Sequence, residues 1–121
     1  MWILTNKGFL SVVSKDCAED ELLVRARVRE HLLALFPAAK IRRTPGVDYL
    51  YRATIKRDEV ARVIAEQIVG IDYDNLKSSV VDADLHHAYL SIWNIMSRLQ
   101  EIPPYTTPRR VRNQRDWLPS A

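Results

Sequence analysis

The sequence predicts an α+β fold: a four-stranded antiparallel sheet with helices packed on one face. Three observations carry this. Residues 22–28 (LLVRARV) and 49–56 (YLYRATIK) alternate with a period of two, as half-buried strands do. Residues 59–69 and 85–101 instead repeat apolar side chains at helical spacing. Short polar connections between neighbouring strands favour hairpins. The element order is β-β-α-β-β-α-α. The simplest sheet then has spatial order 1-2-4-3, a permuted ferredoxin-like arrangement.

Taken in order, residues 2–4 are apolar but too few to show a period, and residues 5–8 (TNKG) read as a turn with Gly8 able to take a positive φ. Residues 9–14 (FLSVVS) form the first strand, and the acidic run 15–21 (KDCAEDE) links it to the second, 22–28. There Val24, Ala26 and Val28 share one face; Leu23, Arg25 and Arg27 share the other. Residues 29–36 (REHLLALF) form a short helix that Pro37 stops, because proline disfavours helical backbone in the residue before it. Residues 40–44 (KIRRT) make a charged edge strand, which discourages pairing with other chains. Pro45-Gly46 turns the chain into the fourth strand, 49–56. In it Tyr49, Tyr51, Ala53 and Ile55 alternate against Leu50, Arg52, Thr54 and Lys56.

Asp58 is positioned to cap the helix 59–69, which Gly70 ends. Asp74 is placed to cap a short helix running to Val81, and Asp82 or Asp84 to cap the last helix, 85–101. The apolar stripe of that helix (Leu85, Ala88, Ile92, Met96, Leu99) is widened by Tyr89, Trp93 and Ile95, enough to suggest a homodimer through it. Pro103-Pro104 stops it. Residues 1–102 therefore read as one domain and 103–121 as a basic, proline-containing tail.

With 121 residues, 47% hydrophobic and 27% charged, the chain can bury a core without staples. Its single cysteine, Cys17, leaves no internal disulfide and suits a reducing cytoplasm. Residues 1–9 lack the apolar run of a signal peptide, and no apolar stretch approaches the ~20 residues needed to cross a bilayer. The net charge of +3 resides in residues 105–121, which hold four arginines and one acid; residues 1–104 sum to zero. Basicity is therefore a property of the tail and a poor argument for nucleic-acid binding by the whole domain.

Residues 1–13 (MWILTNKGFLSVV), 22–29 (LLVRARVR), 44–54 (TPGVDYLYRAT) and 71–77 (IDYDNLK) resemble a family of short uncharacterised bacterial and phage proteins. The resemblance stops near Pro103. It implies a small self-contained domain and a phage or mobile-element role, in which inhibition of a host defence system from within the host cytoplasm is the expectation. It carries no mechanism.

The residues themselves offer several candidate sites. Arg25, Arg27 and Arg52 fall on the sheet face expected to be free of helices, with Lys56 and Arg42 close by. Guanidinium groups recognise carboxylates and phosphates through paired donors, so this face suits an acidic protein surface or an anionic nucleotide; charged surface faces also occur with no partner at all. The tail offers Arg109, Arg110, Arg112, Arg115 and Trp117, a set that can hold a phosphate backbone and stack on a base. Asp72, Asp74, Asp82, Asp84, His86 and His87 carry the atoms of a metal-dependent hydrolase, but their spacing suits helix caps better than a ligand set. Cys17 lies in an acidic loop that disfavours its thiolate, and three glycines in the whole chain leave no phosphate-cradling loop. The expected function is non-catalytic binding with no cofactor and no metal. Nucleic-acid binding by the tail and metal-dependent hydrolysis are the alternatives.

Overall fold

The computed structural model describes residues 1–105; the tail set Arg109, Arg110, Arg112, Arg115 and Trp117 lies outside the described residues. The fold is α+β, with β1 (Trp2–Thr5), β2 (Gly8–Val13), β3 (Glu21–Ala26), α1 (Arg29–Leu35), β4 (Arg42–Arg43), β5 (Tyr51–Lys56), α2 (Arg57–Val69) and α3 (Ala83–Ser97). A 3-10 turn, Lys77–Ser79, precedes α3. The sheet has five antiparallel strands in the order β1-β2-β3-β5-β4.

The expected count of four strands is thus corrected to five, while the four expected strands keep their expected relative order as β2-β3-β5-β4. Trp2–Thr5 is a strand in its own right, registered Thr5↔Gly8 to Trp2↔Ser11 against β2. It escapes sequence reading because Trp2, Ile3 and Leu4 are all apolar, so no period shows. Asn6 and Lys7 make the hairpin turn, and the Thr5 hydroxyl accepts the Lys7 N–H at 3.2 Å. Gly8 does not supply a positive φ, as the turn chemistry suggested; Gly46, at φ +87°, is the glycine that does. Gly8 is needed for a close approach. A Cβ built there would lie 2.5 Å from Cβ and Cγ of His31, on the first turn of α1.

The described residues fall into two compact units, the first being Met1–Val80 and the second starting at Val81. In the first, alternation sends one set of side chains into a single core. Leu10, Val12, Val24, Ala26, Ala53 and Ile55 of the sheet meet Leu32, Leu35 and Phe36 from α1 and its C-cap, and Val60 and Val63 of α2. Both helices of this unit therefore pack on one sheet face. α1 ends where Pro37 requires, with the Phe36 N–H still donating to Leu32 O at 2.9 Å. α2 begins two residues before the expected start, capped by Lys56 without a side-chain hydrogen bond; Asp58 is instead an acid in its first turn, where the helix dipole favours it.

In the second unit, Asp82 caps α3, its Oδ2 accepting the Leu85 N–H at 2.8 Å, and Asp84 lies in the first turn. Leu85 and Tyr89 are buried, whereas Trp93, Ile95, Met96 and Leu99 are exposed. The helix stops at Ser97, short of the expected end at 101. Among the described residues, no helix is long and apolar enough to cross a membrane.

Candidate functional site

The two sheet faces differ because alternation places arginine opposite arginine. Arg25 of β3 and Arg52 of β5 are direct cross-strand partners, flanked by Arg42↔Arg52 on the edge and Ser11↔Arg25 on β2. Like charges facing each other across a ladder repel. The face can tolerate this only where anions or aromatic rings compensate.

The compensation present is small. One carboxylate, Asp48, sits between the pair: Oδ1 accepts from Arg52 Nη2 at 3.0 Å, and Oδ2 lies 3.8 Å from Arg25 Nη1. Arg25 Nη2 donates to Ser11 Oγ at 2.7 Å. The Tyr49 ring takes two cations, with the guanidinium carbons of Arg25 and Arg27 at 4.5 and 4.3 Å from its centroid. Arg27 also lies 5.5 Å from the Phe9 ring, and Phe9 in turn contacts Trp2 at 5.7 Å between centroids. Cation–π contacts stabilise a guanidinium without neutralising it. Among the described residues, Arg25, Arg27 and Arg52 thus bring three positive charges against the one negative charge of Asp48. The Nε atoms of Arg25 and Arg52 are both buried with no hydrogen-bond partner among the described residues. A buried donor left unmade is costly, and these two belong to charged groups.

The expectation of an open arginine face needs correcting. The side chains of Arg25 and Arg52 are each 14% exposed, while Leu23, Ser11 and Tyr49 on the same side are buried. Arg27 is exposed, and Asp48 is 64% exposed. The cluster is therefore two recessed guanidiniums and one exposed guanidinium, with an exposed carboxylate at its margin.

Two further residues of the expected set stand apart. Lys56 is on the same sheet face but four residues along β5, about 13 Å from Arg52 at the usual rise of a strand. There it donates to Asp20 Oδ2 at 2.8 Å. That hydrogen bond, and then the attraction between the two charges, raises the Lys56 pKa and lowers that of Asp20. Lys56 and Asp20 line a shallow groove of mixed charge with Arg57, Asp58, Glu59 and Arg62. Arg42 is exposed beside Arg52, with Nη1 and Nη2 within 3.5 Å of Thr54 Oγ1. It borders the cluster without an acidic partner among the described residues.

Asp48, Tyr49, Ser11 and Phe9 were not legible as site residues. Alternation assigns Tyr49 to the face of Tyr51 and Ala53. The strand starts only at Tyr51, however, and Tyr49, just outside it, turns its ring to the arginines. The run of acids and histidines does not assemble: among the described residues no three His, Cys, Asp or Glu side chains converge as a metal site would need. Asp82 is used as a cap, and the rings of His86 and His87 meet edge to face at 5.9 Å between centroids.

No protein-family model, no curated protein and no solved structure matches the chain.

Proposed function

We propose that the protein is a small non-catalytic binding protein that takes an anionic group, such as the phosphate of a nucleotide, into the Arg25–Arg27–Arg52 cluster. The observation that carries this is the charge imbalance: among the described residues, three guanidiniums, two with buried unpartnered Nε donors, face a single carboxylate. Of the two anionic partners expected, a small ligand fits better than an acidic protein surface, because Arg25 and Arg52 are recessed. An inhibitor that works by occupying its target rather than converting it needs no more than such a site.

Calorimetric titration tests this with a nucleoside monophosphate and the matching nucleoside. The nucleotide is expected to bind wild-type protein and the nucleoside not to. Arg25→Gln and Arg52→Gln, each checked for folding by circular dichroism, should weaken binding at least tenfold. Equal binding of nucleotide and nucleoside, or full affinity in both folded variants, refutes the proposal.

Two further readings have their own tests. The exposed Ile95, Met96 and Leu99 favour a homodimer through the last helix, which predicts a dimer mass in sedimentation that Met96→Glu abolishes. Nucleic-acid binding by the tail predicts an affinity that falls steeply with salt; a flat salt dependence counts against it.

A further inference from the structure

Asp48 stands where the ligand of this cluster would have to sit. Its two oxygens already address the two facing arginines, one each, as an oxyanion would. The fit is incomplete. One contact is a hydrogen bond at 3.0 Å and the other is loose at 3.8 Å. A carboxylate presents two oxygens in one plane, and neither Nε donor is reached. A phosphoryl group presents three oxygens in three directions. It also carries close to two negative charges above neutral pH, against the one that Asp48 brings to the three guanidiniums.

The loop holding Asp48 can release it. Residues 45–48 are all exposed, and Gly46 at the tip has φ +87° with open space around it. The base of the hairpin is fastened separately: the Thr44 hydroxyl donates to Tyr49 O at 2.9 Å and the Thr44 N–H to Leu50 O at 2.7 Å. Asp48 can therefore leave the cluster while Tyr49 and the strand stay in place. An ion pair with so exposed a partner holds weakly, so an incoming dianion has little to overcome.

We infer that Asp48 is an internal competitor, a built-in carboxylate that a dianionic phosphoryl ligand displaces from Arg25 and Arg52. This rests on the anion-binding reading above and adds to it the class of ligand and the means by which the empty site is held. It predicts a site selective for dianions, because a monoanion gains nothing over the resident carboxylate.

The test uses inorganic phosphate at pH 8 as probe, with the full chain and calorimetry or chemical-shift titration as readout. Asp48→Asn and Asp48→Ala are expected to bind phosphate about fivefold more tightly than wild type, because the exposed ion pairs of Asp48 with Arg25 and Arg52 no longer have to be broken. Wild type should bind nitrate at least tenfold more weakly than phosphate, and phosphate should shift the backbone amides of Gly46 and Asp48. If folded Asp48 variants bind phosphate no better than wild type, Asp48 is not a competitor, and the anion site itself still stands. Nitrate binding as tight as phosphate binding overturns the dianion assignment. If no form binds phosphate or a nucleotide, the anion site falls together with this inference.

Discussion

Gly8→Ala measures how closely α1 is held to the sheet. The added Cβ would lie 2.5 Å from Cβ and Cγ of His31 and 2.8 Å from its Cα. Carbon atoms prefer about 3.5–4.0 Å, so strand and helix must separate by roughly 1 Å. Side-chain rotation cannot relieve this, since Cα and Cβ of His31 are fixed by the helix backbone. The same movement loosens the hydrogen bond from the Phe9 N–H to His31 Nδ1, 3.3 Å long, and lifts the fully buried Leu32 from the core. Overpacking of this kind costs about 1–3 kcal/mol, and a lost hydrogen bond about 1 kcal/mol more. The expected loss is about 2–4 kcal/mol, a large share of a typical domain's stability. Urea unfolding followed by circular dichroism reads it as a lowered midpoint at unchanged slope. Adding His31→Ala should give no rescue, because the His31 Cβ remains. Gly46→Ala is the contrast: nothing lies within 4 Å, so its cost of about 1–2 kcal/mol is purely that of a positive φ. A loss under 0.5 kcal/mol for Gly8→Ala would refute the close approach, and rescue by His31→Ala would place the clash in the imidazole alone.

Three other expectations follow from packing, capping and burial. Leu32→Ala empties a fully buried site between α1 and the sheet and should cost about 2–5 kcal/mol by urea unfolding; less than 1 kcal/mol would mean the core is not where Leu32 lies. Asp82→Ala removes the acceptor for the Leu85 N–H and should cost about 1 kcal/mol, while Asp84→Ala, with no capping bond, should cost less; the reverse order would refute the cap assignment. Burial pushes the Tyr89 phenol up to about 12, so absorbance at 295 nm should show a tyrosine step there that Tyr89→Phe removes. Since that pKa is raised on folding, its contribution to stability is complete below the unfolded value near 10 and is lost as pH rises towards 12. Tyr89→Phe should flatten that loss, and an unchanged step near pH 12 in that variant would contradict the assignment to Tyr89.

Legibility followed the length of each pattern. Six-residue strands with alternating apolar positions, such as β3, could be read with their inward faces, and Val24 and Ala26 are fully buried as the alternation requires. The four apolar or near-apolar residues of β1 offer no period from which a strand can be read. The arginines of the site were legible because charge at alternate strand positions is conspicuous. Their companions were not. Asp48 and Tyr49 lie in a hairpin loop, where no period governs direction, and they reach Arg25 across the sheet because β5 pairs with β3 rather than with β4 alone.

By itself, the chain's order of residues determined the class of fold, the core face of the sheet and the presence of arginine on its other face. These follow from local periodicity, which a strand or helix carries wherever it is placed. The tertiary structure alone decided that Arg25 and Arg52 are opposite each other, that one carboxylate serves both, and that the cluster is recessed. Register and burial arise from contacts between residues distant in sequence, and for Arg25, Asp48 and Arg52 those contacts turn a charged face into a largely buried arginine pair that shares one carboxylate among the described residues.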